Sequence, residues 1–550
     1  MYKPWVCHMA RQGYLVMFVD DPRVRRRTAP YAGFYALASA AGTQSMGVQV
    51  FDNLRALDYL LTRPEVDPGR IGISGLCQGS EQTWLTAALE ERFRVASPVC
   101  STTTFEWWAR MPHFLGINLS DPSPYVENIL GWSDWHELGD CIAPRPVLIV
   151  SNSGDNWWPK PGFDKVVASM RSVYGLYAKP DCFDVVFDLR SHSMVPYTKE
   201  ICAWFEKHLK PLPPSEAKSL PCGDPADPDT SMIRYFQRRI RGQTEALPAE
   251  FANRQAWESC REAMVAWLRQ SCNPARRKGA APGSVNRQEA DGLVCEDLLL
   301  PQDEGLTLPI RFYYRPAAGK PRPAIVLSYD SPQWIGEPNV LQIARALAGD
   351  GFLVAIPEHA GTAGQSRRSV HLISYYGAAD TVGLPPLAMR VWDDLSCLEY
   401  LAGREDVDKR SILIAGLGIG GADAAMTAVL DERIAAVAAV GAITVRDWAV
   451  TVAPRLGQFD RIMPYLPGIA TKTDLQYVYA AVAPRPLLLV DGTDRANWPE
   501  VAYQRVRKQA EQVFALYGAA EKLTLTPAQS PWGIEELRRW AKADPARKGQ

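Results

Sequence analysis

The sequence predicts an α/β protein built twice along one chain, each half a mostly parallel sheet with helices on both faces. Three observations lead there. Short β-branched runs alternate with helical stretches. Matching segments recur at offsets of 338 to 341 residues. In the first half, the apolar run Ile71-Gly72-Ile73-Ser74 breaks into the turn Gly75-Leu76-Cys77-Gln78-Gly79 and continues as the amphipathic stretch 81–92.

The duplication is legible in four registers. Gly13-Tyr14-Leu15-Val16 parallels Gly351-Phe352-Leu353-Val354 at 338 residues, and 50–60 parallels 391–401 at 341. The stretch 88–92 parallels 429–433 at 341, and Ala143-Pro144-Arg145-Pro146 returns as Ala483-Pro484-Arg485-Pro486 at 340. In the first copy, strands are expected at 14–19, 70–74, 95–99, 147–150 and 184–188, with helices at 48–61, 81–92 and 161–174. The second copy adds three strands in front, at 293–300, 308–314 and 324–328. These readings set the expected domains: 1–210, a linker rich in Pro, Asp and Ser at 211–250, and 251–540, whose leading helix spans 251–272. Position 1 aligns with about position 339 of the second copy, so the first copy is expected to lack the three leading strands. A chain that starts at an internal methionine of a longer reading frame would explain that.

Bulk properties exclude several classes. A length of 550 residues suggests three or four domains at about 150 residues each, a prior the duplication replaces with two large ones. The chain is 47% apolar and 22% charged, as expected of a soluble globular protein. A net charge of −1 offers nothing to nucleic acid or an anionic membrane. No run approaches the roughly 18 apolar residues of a membrane span, and the amino end has no signal-peptide pattern. Eleven cysteines include no C-x-x-C pair, which argues against a zinc ribbon or a thioredoxin-type site. No metal cluster or phosphate loop is visible, and no cofactor is expected. Compartment and oligomeric state stay open.

Strand, tight turn and helix around Gly75-x-Cys77-x-Gly79 make the geometry of a nucleophile elbow, with a thiol where a hydroxyl is commoner. A thiol with a pKa near about 8.5 needs a base, and the base an orienting carboxylate. In elbow enzymes these follow in the order nucleophile, acid, histidine. Asp155 lies just past the strand 147–150, and His192 just past 184–188. The macrodipole of the following helix favours a thiolate at Cys77. Taken singly, a cysteine is commonly a small buried residue, an aspartate a loop group and a histidine a surface or capping group. Three fitting types after three strands, in the required order, favour catalysis.

The second copy is an internal control. Cys77 corresponds to Gly418, Asp155 to Asp494 and His192 to Gln529. Glycine cannot attack and an amide cannot shuttle a proton, so the second copy is expected to be inactive. The last histidine, His371, precedes the degenerate turn and offers no downstream base.

Val66-Asp67-Pro68-Gly69-Arg70-Ile71-Gly72, Leu89-Glu90-Glu91-Arg92-Phe93 and the Ala-Pro-Arg-Pro stretch before the acid strand resemble α/β-hydrolase esterases of the acetyl-xylan-esterase-like and dienelactone-hydrolase-like groups. The resemblance covers most of both copies and implies two α/β-hydrolase-like domains. It also implies hydrolysis of carboxylic esters, an acetyl ester of a carbohydrate or a dienelactone-like ester, through an acyl-enzyme. Carried over, Cys77 would be the nucleophile, His192 the base and then acid, Asp155 the orienter, and the Gln78 N–H an oxyanion donor. The family's second oxyanion donor follows a strand that the first copy lacks. Trp107, Trp108, Trp132, Trp135, Trp157 and Trp158 follow strands on the site side. They would stack on a sugar or aryl group or pack a cap over the sheet, with packing slightly favoured. His113 and His136 lie in the same region. Two other readings remain: a non-catalytic tandem protein for binding or assembly, and a peptidase of the same fold.

Overall fold

A computed structural model describes residues 3–19, 31–108, 126–155, 158–190, 192–209, 232–272, 284–302, 307–316, 319, 321–329, 338–359, 379, 382–451, 453, 466–492, 499–529 and 533–543. The chain forms two compact units.

Among the described residues the first unit holds four parallel strands in the order β1 (Gly72–Leu76), β2 (Val95–Val99), β3 (Val147–Asn152) and β4 (Phe183–Asp188). Alternation along β3 builds a core on each face. Val147 and Ile149 join Trp84, Phe163, Val166 and Met170, from the Gln78–Leu89 and Lys160–Leu176 helices. Leu148 and Val150 join Trp5 and Met9 of the Lys3–Arg11 helix and Ile201, Trp204 and Phe205 of Thr198–Leu209.

Among the described residues the second unit has nine strands: β5 (Ser284–Ala290), β6 (Leu293–Pro301), β7 (Thr307–Tyr314), β8 (Arg322–Ser328), β9 (Leu353–Pro357), β10 (Val407–Leu417), β11 (Ala436–Val440), β12 (Leu487–Asp491) and β13 (Leu523–Pro527). Their order is β13-β12-β11-β10-β8-β9-β7-β6-β5, antiparallel from β9 outward through β7, β6 and β5 and parallel elsewhere. The run β10 to β13 repeats β1 to β4. The three leading strands expected here are present, and β5 joins them.

Three expectations change. Residues 14–19 form no strand. Their counterpart β9 is held between β8 and β7, and among the described residues the first unit has no strand equivalent to either. For the same reason β1 is an edge strand there, whereas β10 pairs with both β8 and β11. The 211–250 stretch contains a helix, Met232–Glu245, whose apolar residues Met232, Ile233, Phe236 and Ile240 are buried. The units also depart from chain order. The first takes in Gly377–Gly383 and the second Pro30–Thr43, within which 36–42 corresponds to 377–383 at the 341-residue offset. In the second unit the Ser39 carbonyl accepts from the Gly468 N–H at 2.8 Å. In the first, Gly383 lies against Asn128, the counterpart of Gly468.

A buried polar layer beside the post-elbow helix differs in kind between the copies. In the second unit, Arg390 Nε donates to Asp423 at 2.7 Å and its Nη2 to the Tyr329 carbonyl at 2.5 Å. His359 Nε2 meets Asp394 at 2.8 Å, and all four of these side chains are fully buried. In the first unit the positions of Arg390, Asp423 and Asp394 hold neutral amides, Gln49, Gln82 and Asn53. Gln82 donates to Gln49 at 2.6 Å, and Asn53 donates to Gln82 at 3.3 Å and Thr86 at 3.1 Å.

Breaking a buried ion pair from one side strands the other charge. Arg390→Gln is expected to destabilise the second unit by about 3–5 kcal/mol. Adding Asp423→Gln, which copies the Gln49–Gln82 pair, should recover most of the loss. Amide exchange of β8 and β10 in the full chain checks both, and equal loss in single and double variants would refute the account.

Candidate active site

The turn after β1 has the geometry that its glycines predict. A β-carbon on Gly75 would lie 2.2 Å from the Gly79 carbonyl oxygen, so the strand and helix can meet only without one. Cys77 caps the Gln78–Leu89 helix with φ 57 and ψ −122, a left-handed φ that costs a side-chain-bearing residue roughly 1–2 kcal/mol. The Cys77 N–H donates to the Val99 carbonyl at 2.9 Å, fixing the turn to β2. Gln78 is the first helical residue and is buried, and its N–H has no acceptor within the helix.

The expected partners converge on this turn. Asp155 follows β3 and His192 follows β4. His192 Nδ1 meets Asp155 Oδ2 at 2.5 Å, with the carboxylate 5% exposed and the imidazole 31% exposed. With Nδ1 occupied, Nε2 remains for the hydrogen bond to the Cys77 side chain. The hydrogen bond donated to Asp155, then the one to Cys77, raise the His192 pKa to about 10, while burial acts against them.

A clamp that the sequence reading missed holds the histidine loop. Arg190 pairs with Asp188 at 2.5 Å and Glu200 at 2.8 Å, donates to the Pro196 carbonyl at 2.6 Å, and lies over the Tyr197 ring. Tyr197 in turn donates to Asp188 at 3.1 Å. The Asp-x-Arg spacing two residues before His192 was the available signal. Cys100 was also missed. Its thiol, the Asp155 carboxylate and the His192 ring offer ligand-type atoms within 4.8 Å of one another, a grouping that no sequence spacing suggested.

The tryptophans divide. Trp135 is core, packed on Phe105 with ring centroids 4.6 Å apart, because the Asp134 side chain caps its helix and also accepts from the Phe105 N–H at 2.6 Å. Trp108 is buried as well, stacked on Trp158 at 6.3 Å beside the Asp155 loop. These two are removed from the pocket candidates, since their faces are covered by protein. Trp107 and Trp158 are half-buried, and Trp132 is 67% exposed. Trp157, His113 and Asp494 lie outside the described residues. Among the degenerate equivalents, Gly418 takes φ 63 and Gln529 is exposed. His359 offers no second relay, because its Nε2 alone meets both Asp394 and Ser328, the latter at 3.3 Å.

Comparison with known proteins gives a partial match. No family model matches the chain. It is 31% identical over 156 residues to YtaP of Bacillus subtilis (strain 168), whose name places it among hydrolases. That match takes in 28% of this chain and half the length of YtaP. Among solved structures, a methylesterase, BT1017, superposes with a TM-score of 0.42 at 20% identity, over 54% of this chain and 65% of that one. A Bacteroides fragilis protein named as an acetyl xylan esterase gives 0.45 at 16%, over 57% and 85%. A glucuronoyl esterase from Teredinibacter turnerae gives 0.40 at 16%, over 56% and 90%.

The raised His192 pKa fixes a pH dependence. Its paired, protonated form contributes stability that is full below the ordinary value of about 6.5 and is lost as pH rises through about 10. Asp155→Asn removes the largest cause, so the ring should titrate at a lower pH. NMR titration of the His192 ring checks this, and an unchanged midpoint would count against the Asp155 contact.

Proposed function

We propose that the first copy hydrolyses carboxylic esters through a thioester acyl-enzyme, with a small-molecule or carbohydrate ester as substrate. The observation that carries this reading is the hydrogen-bonded chain from Asp155 through His192 to Cys77, assembled from three strand ends. The fitting motif stretches and the partial match to YtaP support it.

The Cys77 thiolate attacks the ester carbonyl, and the Gln78 N–H donates to the developing oxyanion. Collapse of the tetrahedral intermediate breaks the carbon–oxygen bond, and His192 protonates the departing alkoxide. His192 then takes a proton from water, which attacks the thioester carbonyl. The acid departs and the thiolate returns. Asp155 keeps the Nδ1 proton in place and the ring aimed. Held protonated at neutral pH, His192 is ready as the acid of the first step and as counter-ion to the thiolate. The second copy, with Gly418 and Gln529 at two of the three positions, serves as a structural or binding domain.

Turnover of an acetyl ester and a dienelactone-type ester by the full chain tests the reading. Cys77→Ala and His192→Ala should each lose about a thousandfold or more, and the double variant should be no worse than either, as expected of groups acting in one step. Equal rates in wild type and Cys77→Ala would retire the nucleophile. A Cys77 no more readily alkylated than the other cysteines would shift the reading to a binding protein.

A further inference from the structure

Cys100 is the group beside the relay that ester chemistry leaves unused. It follows β2 as Cys77 follows β1. Leu76 and Val99 are paired in that ladder, so the two cysteines leave neighbouring strands side by side. A strand spacing of about 4.8 Å places their Cα atoms within the roughly 4.4–6.8 Å that a disulfide requires.

Both cysteines hold the left-handed φ that favours glycine, 57 at Cys77 and 58 at Cys100. The second copy has glycine at both places, Gly418 at φ 63 and Gly441 at φ 79. The surrounding backbone is the same. Cys77 and Cys100 donate to Val99 and Val150 at 2.9 and 2.8 Å, and Gly418 and Gly441 to Val440 and Val490 at 2.8 and 3.0 Å. The copy without a nucleophile has neither thiol. The copy with one carries a second thiol against the backbone's preference.

Cys100 is fully buried, and its sulfur accepts from Asn152 Nδ2 at 3.5 Å and from the Ser193 N–H. His192, hydrogen-bonded to Cys77, also lies within 4.8 Å of the Cys100 sulfur. One imidazole therefore borders both thiols.

We propose that Cys100 is a resolving thiol, converting hydroperoxide-oxidised Cys77 into a Cys77–Cys100 disulfide and so giving the first copy a reversible off state. The Cys77 thiolate attacks a hydroperoxide oxygen, the O–O bond breaks, and a sulfenic acid forms as hydroxide or alkoxide leaves. Cys100 sulfur then attacks the sulfenic sulfur. The S–S bond forms, the S–O bond breaks, and hydroxide leaves as water, with His192 supplying its proton and taking the one from Cys100. Burial pushes the Cys100 thiol up to about 12, so the oxidant reacts first at Cys77. The proposal needs Cys77 to be the accessible thiol; it does not need the ester reading.

The full chain is treated with hydrogen peroxide, then digested with trypsin without reduction. The expected product is Ile71–Arg92 linked to Val95–Arg110, with Cys77 alkylation lost and then fully regained with dithiothreitol. Cys100→Gly copies Gly441 and suits the φ, so the variant should fold and keep its untreated ester turnover. After peroxide it should carry a sulfinic acid at Cys77 that dithiothreitol does not reverse. Three results would overturn the proposal: a wild-type sulfinic Cys77 beside a free Cys100, equal recovery in wild type and Cys100→Gly, or an unoxidised Cys77. Ester turnover is scored separately, so its absence would sink the ester reading and leave the cross-link to be judged alone.

Discussion

The site depends first on where the post-elbow helix ends. Arg145 of the Ala-Pro-Arg-Pro stretch donates to the Ala87 carbonyl at 2.6 Å, Glu90 at 3.0 Å and Phe93 at 2.9 Å. These carbonyls close the Gln78–Leu89 helix and the turn that follows, where acceptors lack helical partners and a cation suits the macrodipole. Two residues later the same segment becomes β3, which leads to Asp155. A half-buried guanidinium thus ties the helix that starts at Cys77 to the strand that delivers the acid. The second copy repeats the arrangement with Arg485 on the carbonyls of Ala428 and Ile434 at 2.7 and 2.9 Å. The motif thus serves the fold in both copies.

Legibility followed how local each constraint was. β2, β3, β4 and the Lys160–Leu176 helix were readable because their periodicity depends on their own residues and on a sheet buried on both faces. The 14–19 run was misread for the opposite reason. Its apolar character suits a strand, but a strand also needs neighbours to pair with. Met232–Glu245 was hidden by the Pro- and Asp-rich stretch before it, which drew attention to composition and away from the buried spacing of Ile233, Phe236 and Ile240.

The convergence of Cys77, Asp155 and His192 was legible because elbow order maps onto strand ends, and strand ends can be counted. What was not legible required three dimensions. Trp135 reads like any pocket aromatic until the Asp134 cap turns it into the core. Cys100 became visible only through its φ and its nearness to His192, although the duplication already set a cysteine against Gly441. A paired comparison of non-glycine with glycine at a left-handed position is a stronger signal than either residue alone.

The polar layers of the two copies differ in charge. In the second unit, β8 lies beside β10, and the end of β8 presents the Tyr329 carbonyl to the buried interior. Arg390 satisfies that carbonyl, and Asp423 balances Arg390, whose charge would otherwise be stranded. Burial still pushes the Asp423 carboxyl above its usual range. In the first unit Gln49 stands where Arg390 does, so a lone aspartate at position 82 would be an uncompensated charge. Gln49, Asn53 and Gln82 link there through uncharged hydrogen bonds instead. The first copy thus sets neutral amides beside its post-elbow helix, while the second places a fully buried ion pair beside the corresponding turn, where Gly418 stands at the position of Cys77.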